Sequence, residues 1–146
     1  MSTFMRKVNM LSRCEGNYRT EKLGVSELAA CHHSYVLAIS NNPGLSQEQL
    51  VRHMCINKSN VTRHLAYLEK QGYVRRECSQ ADRRVMLVYP TQKMLDILPE
   101  VRRITMEWNR YLAADLTEAE FAQFQSILER LVERATAYME GEVQAE

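Results

Sequence analysis

The chain has 146 residues, 45% of them hydrophobic and 25% charged, with five Gly, three Pro and 19 basic against 18 acidic side chains. That is the makeup of one ordinary globular domain, long enough to bury roughly two-thirds of its unfolded surface without disulfides or a structural metal. The net charge of +1, taken as an average, points to no nucleic acid, membrane or acidic partner. Met1 to Cys14 has no continuous apolar stretch of the kind a signal peptide needs. The longest apolar runs, Tyr35 to Ile39 and Val85 to Tyr89, are five residues each, far short of the roughly 20 that span a bilayer. Cys14, Cys31, Cys55 and Cys78 form no C-x-x-C pair, which argues against a zinc ribbon and a secreted disulfide scaffold. The expectation is a cytoplasmic protein with free thiols, no membrane partner and no cofactor. No phosphate loop, H-E-x-x-H or G-x-S-x-G motif supports an enzyme.

Phe4, Val8, Leu11 and Tyr18 lie at helical spacing, so the first 20 residues read as an amphipathic helix that Gly24 interrupts. A second helix is expected from about Ser26, with Leu28, His32, Tyr35, Val36 and Ile39 on its apolar face, ending at Asn41-Asn42-Pro43-Gly44. Ser46 and Gln49 form an S-x-x-Q capping box, flanked by Leu45 and Leu50 as a hydrophobic staple, so a short helix starts at Gln47. Asn57 caps another, which runs to about Gln71 and stops at Gly72. Joined by Met54-Cys55-Ile56-Asn57, the pair is a helix-turn-helix. Val74 to Cys78 and Val85 to Tyr89 then read as a β-hairpin around the polar loop Ser79 to Arg84. The winged module spans about Leu45 to Thr91, within a lobe of residues 26–92.

From Thr91 to about Ala114 a further helix carries Leu95, Leu98, Val101, Trp108 and Leu112. Pro99 lies inside it and predicts a kink or a break, since proline removes a hydrogen bond and clashes with the carbonyl four residues back. Thr117 and Glu120 repeat the capping-box signal. The last helix then spaces Phe121, Phe124, Leu128, Leu131, Ala135 and Tyr138 by threes and fours, a stripe suited to packing along another helix, partly across a dimer. The fold class expected is mostly α with a small β-hairpin: one domain, 1–146, comprising the winged helix-turn-helix lobe and dimerisation helices at 1–22 and 93–146.

Val61, Leu65 and Leu68 define the buried side of the second helix of the module, which leaves Ser59, Asn60, Thr62, Arg63, Ala66 and Tyr67 on or near the exposed side. Short hydroxyls, an amide that can pair with adenine and an Arg able to take guanine bidentately suit a DNA major groove, although an ordinary solvated face offers the same residues. Charge distribution decides more. Ser46 to Lys93 holds nine basic and four acidic residues, a net of +5, leaving ten basic and fourteen acidic elsewhere, a net of −4. A module that neutralises phosphates carries such a concentration. At the hairpin tip, Asp82 beside Arg83 and Arg84 can fix one guanidinium by a charge-assisted bond while the other reaches a narrow minor groove.

Asn42-Pro-Gly-Leu-Ser-Gln-Glu-Gln-Leu, Asn57-Lys-Ser-Asn-Val-Thr-Arg-His-Leu, Leu68-Glu-Lys-Gln-Gly-Tyr-Val-Arg-Arg and Asp82-Arg-Arg, in that order, resemble the MarR (multiple antibiotic resistance regulator) family of bacterial transcription factors. The resemblance covers about Leu23 to Lys93 in motif detail. It implies a homodimer built from the terminal helices, with each recognition helix in one half of a near-palindromic operator, and most often a repressor. The family's D-x-R wing motif falls on Asp82 and Arg84, implying Arg84 as the minor-groove residue oriented by Asp82. Ser59, Thr62 and Arg63 fall on groove-facing positions. With Ser46, Lys58, Asn60, Arg76 and Arg83 they complete the expected double-stranded DNA contacts.

The family also implies release by a small ligand, often aromatic or phenolic, or by thiol oxidation. His32, Tyr35 and Trp108 are the candidate pocket residues; for His32, Trp108 and Tyr111 core packing is the alternative. Cys14 is the candidate redox thiol, by likeness to peroxide-sensing members. Some members sense zinc. Here Cys31, His32 and His33 are adjacent on a helix and point about 100° apart, and Thr91 to Ala114 supplies no His, so no metal is expected. The alternatives to DNA binding are a winged helix used only for protein interaction, which would need no basic recognition face or Arg-bearing wing, and a small thiol or Cys/His enzyme, for which there is no nucleophile–base motif.

Overall fold

A computed structural model of the chain describes residues 3–24 and 26–141. The ends of the two expected dimerisation segments, residues 1–2 and 142–146, lie outside the described residues, as does Val25. The chain divides into two compact units, Met1–Trp108 and Asn109–Glu146. Among the described residues the elements run α1 (Phe4–Leu23), α2 (His32–Asn41), β1 (Leu45–Ser46), α3 (Gln47–Met54), α4 (Lys58–Lys70), β2 (Val74–Cys78), β3 (Met86–Pro90), α5 (Gln92–Leu112) and α6 (Glu118–Met139). The mostly helical winged helix-turn-helix is the architecture expected. Among the described residues, no helix is long and apolar enough to cross a membrane.

Three details differ from the sequence reading. Helix α2 begins at His32, not near Ser26, because the intervening segment closes on itself: Leu28 N–H donates to Ser26 Oγ at 3.1 Å and Ala29 N–H to His32 Nδ1 at 3.0 Å. The wing is part of a three-stranded antiparallel sheet of order β1-β3-β2. Its third strand is the two-residue Leu45–Ser46, paired with Val88 and Leu87. Gly44, at φ 87°, makes this possible: a Cβ there would meet the Tyr89 ring at 3.2 Å. Finally, of the kink or break expected at Pro99, the break does not occur: α5 runs through it from Gln92 to Leu112. Pro99 is exposed and Leu95, whose carbonyl loses its partner, is 39% exposed, so water can take up the orphaned acceptor.

The local start and stop signals act as expected. Ser46–Gln49 and Thr117–Glu120 are complete capping boxes, and the Asn57 side chain accepts from Asn60 N–H. Gly72, at φ 79°, follows α4 in the left-handed conformation that releases the chain into β2. Leu50, Val61, Leu65, Leu68, Val36, Ile39, Val88 and Met94 are almost wholly buried in one core that joins α2, α3, α4, the sheet and α5. Val61, Leu65 and Leu68 therefore turn the opposite side of α4 outward, and fix which residues a partner can reach.

In the second unit, α6 leaves Phe124, Ile127, Leu128, Leu131 and Val132 exposed. In the first, α1 exposes Phe4, Val8 and Leu11. Trp108 is half-buried and stacks on Tyr18, ring centroids 4.8 Å apart.

Candidate nucleic-acid interface

The turn between α3 and α4 places Cys55 at φ 50°, an unusual conformation for a residue with a side chain, and so sends α4 across the end of α3. A cleft of about 470 Å³ opens where α3, the start of α4 and the wing converge, lined by Ser46, Gln47, Arg52, Lys58, Arg84 and Met86 among others. Two consecutive helices and the wing thus present Arg52, Lys58 and Arg84 around one opening.

On α4, Lys58, Ser59, Thr62 and Arg63 are exposed and Asn60 half-buried. They are ordered by one another. Ser59 Oγ donates to Asn57 Oδ1 at 2.9 Å, and Arg63 donates to Asn60 Oδ1 at 3.1 Å. Thr62 Oγ1 donates to the Lys58 carbonyl at 2.9 Å and accepts from Gln47 Nε2 at 2.8 Å. Gln47 was not among the residues singled out from the sequence; its position above Thr62 depends on the crossing of α3 and α4, which no local pattern specifies. Tyr67, expected on the outer side, folds back so that its hydroxyl donates to the Glu27 carbonyl and its ring stacks on His32 at 5.0 Å.

At the wing tip, the Asp82 carboxylate accepts from Arg84 Nε at 3.2 Å and from the Arg84 backbone N–H at 3.0 Å. These bonds hold the Asp82 carboxyl below its usual pKa. The Arg84 side chain is nevertheless 91% exposed, so it is aimed without being covered. Arg83 is exposed beside it.

Two expected contacts have structural partners. Ser46 is buried, and its hydroxyl accepts Gln49 N–H at 3.0 Å while its own N–H donates to Gln49 Oε1 at 2.9 Å. Arg76 makes a bidentate pair with Glu69, at 2.9 and 3.1 Å, tying β2 to α4; the pair lowers the pKa of Glu69 and raises that of Arg76. Arg75 pairs with Glu77, and Lys93 with Glu27 at 2.7 Å. The basic excess of the module is thereby sorted: Arg75, Arg76 and Lys93 pair with Glu77, Glu69 and Glu27, while Arg52, Lys58, Arg63, Lys70, Arg83 and Arg84 are exposed, Arg84 braced by Asp82.

A family model described as "MarR family" matches residues 23–85, the segment that carries this surface. A structure described as MarR matches with 27% identity and a TM-score of 0.82 over 95% of this chain and 94% of that one. Over this lobe the chain is similar to the MarR family of transcriptional regulators. Among its relatives is YybA of Bacillus subtilis (strain 168), an uncharacterized HTH-type transcriptional regulator, 22% identical over 95% of each chain. A Listeria monocytogenes protein, described as a MarR family transcriptional regulator and complexed with a 26mer DNA, shares the fold at a TM-score of 0.89 and 22% identity over the whole of both chains.

The remaining expected sites are distributed as follows. His32 is buried and lines a cavity of about 450 Å³ with Thr20, Leu23, Glu27, Leu28 and Tyr67 among others. Tyr35 is fully buried beside His64, ring centroids 5.4 Å apart. All four cysteines are free and exposed, Cys14 included. His33, the neighbour of His32, is wholly buried with neither ring nitrogen hydrogen-bonded, and burial pushes its pKa down to about 4.

Proposed function

We propose that this chain is a MarR-family regulator that binds a near-palindromic operator in duplex DNA as a homodimer and acts as a repressor in the cytoplasm. The observation that carries the reading is the convergence of Lys58, Arg52 and Arg84 on one cleft beside the polar start of α4. In this reading Ser59, Asn60, Thr62 and Arg63 meet base edges in the major groove and Lys58 neutralises a phosphate. Asp82 holds Arg84 toward the adjacent minor groove, with Arg83 alongside. Ser46 and Arg76 serve the interface by fixing α3 and the wing.

Segments 1–22 and 93–146 supply the dimer contacts, for which the exposed Phe4, Val8 and Leu11 of α1 and Phe124, Leu128 and Leu131 of α6 provide apolar surface of a kind monomers seldom leave uncovered. A small effector in the cavity beside His32, or oxidation of an exposed thiol such as Cys14, would change the spacing of the two recognition helices, which half-sites one helical turn apart tolerate poorly.

The test is a gel shift with DNA flanking the protein's own gene, comparing wild type with Arg63→Ala and Arg84→Ala. Salt-sensitive binding that both variants lose is expected; no binding by the wild type at low salt would refute the reading. Sedimentation as a monomer at micromolar concentration would refute the dimer.

A further inference from the structure

Cys31 caps the start of α2, His32 is its first residue, and His64 lies on α4, 32 residues beyond His32. Among the described residues these three form the one group whose potential metal-donor atoms, one per side chain, lie within 4.8 Å of one another. His32 Nε2 and His64 Nδ1 are 3.2 Å apart. Two imidazole nitrogens bound to one tetrahedral Zn²⁺ at ordinary bond lengths stand about 3.3 Å apart. Adjacent helical residues diverge by about 100°, and His33 does not belong to this group; the second imidazole comes instead from His64 on another helix.

We infer that Cys31, His32 and His64 form a binding site for a borderline-soft divalent cation of the Zn²⁺ class, with one thiolate, two imidazoles and a fourth position open to water or a further ligand. A thiolate with two imidazoles suits zinc and disfavours the hard cations magnesium and calcium. The rings are already held: His32 stacks on Tyr67, and His64 packs beside Tyr35. Burial lowers the pKa of both histidines, which favours the neutral form that ligates. Cys31 is exposed, so an ion can enter from its side.

Binding rearranges protons in a defined way. Without metal, Ala29 N–H donates to His32 Nδ1, so the ring proton sits on Nε2 and bridges to His64 Nδ1. The ion takes the place of that bridging proton. The proton moves to His32 Nδ1, the bond from Ala29 is given up, and the Cys31 thiol releases its proton to solvent. Metal occupancy and the Ala29–His32 hydrogen bond therefore exclude one another, and loading couples α4 to the segment before α2.

The experiment is titration of the full-length, reduced protein with Co²⁺, followed by competition with Zn²⁺. The expected result is one ion per chain, a thiolate-to-cobalt charge-transfer band, visible bands of four-coordinate intensity and about one proton released. Cys31→Ser should abolish the charge-transfer band. His32→Gln, which keeps an acceptor for Ala29 N–H, and His64→Gln should each weaken binding by ~100-fold or more, beyond the loss on removing an outer hydrogen-bonding partner. Cys55→Ser, at another exposed thiol, should leave the spectrum unchanged, and circular dichroism checks that each variant is folded. No thiolate band in the wild type, a band that survives Cys31→Ser, or affinity indifferent to both histidine substitutions would overturn the site. None of these readouts depends on DNA binding.

Discussion

Ser46 separates a structural from a direct role in DNA binding. Its hydroxyl accepts Gln49 N–H and its N–H donates to Gln49 Oε1, so Ser46→Ala removes one half of a reciprocal cap and leaves the other. Gln49 is exposed, so water takes up part of the loss. The cost should lie near ~1 kcal/mol, in the middle of the range for cap removal, which lowers Tm by about 3 °C in a domain of this size. Ser46→Gly also deletes the hydroxyl, but glycine at a cap position costs only about 0.3 kcal/mol because water reaches the helix end; Tm should fall by about 1 °C. If the hydroxyl works through the cap, the glycine variant should keep operator affinity within about twofold, since a change of only a few tenths of a kcal/mol cannot do more. The assays are a thermal melt and a titration of labelled operator at fixed salt. Equal, several-fold losses of affinity in both variants with Tm unmoved would refute the capping role and place the hydroxyl on the DNA.

The other outcomes follow from the same contacts. Lys58→Ala should make the dependence of log affinity on log salt shallower by about 0.9, the share of the one phosphate charge it neutralises, whereas Arg75→Ala, whose charge already pairs with Glu77, should change the slope little. His33→Phe should raise Tm at pH 7.5, because a buried ring with two unbonded nitrogens is replaced by an apolar one of similar shape; a fall in Tm would refute that reasoning. Glu69 is held below its ordinary pKa by Arg76, so its pairing contributes stability above the unfolded carboxyl pKa that is lost as pH falls through the folded value. Glu69→Gln should therefore melt lower than wild type at neutral pH and converge with it in acid. Parallel curves down to the lowest pH would refute that assignment.

Much of the fold was legible because its signals are local. A capping box joins residues three apart, as Ser46 with Gln49 and Thr117 with Glu120, and the buried stripe of α4 follows from helical periodicity alone. Of the features that sequence reading missed, one depends on a distant partner and one on local bonds without a periodic signature. Leu45–Ser46 becomes a strand only because β3 lies beside it, and two residues carry no period of their own. The start of α2 was misplaced because Leu28 fits the apolar spacing, while side chains of Ser26 and His32 hold the preceding backbone in turns.

The candidate DNA surface divides the same way. Residue types and net charge pointed to α4 and the hairpin as the candidate surface, but composition counts every Arg alike. Only the folded arrangement shows that Arg76 faces Glu69 and Arg75 faces Glu77, while Arg84 is braced by Asp82 and still 91% exposed. Removing Arg76 should therefore disturb the wing's attachment to α4 before it disturbs phosphate neutralisation. The net of +5 measures the module's charge; its pairing determines how much of that charge a phosphate can meet.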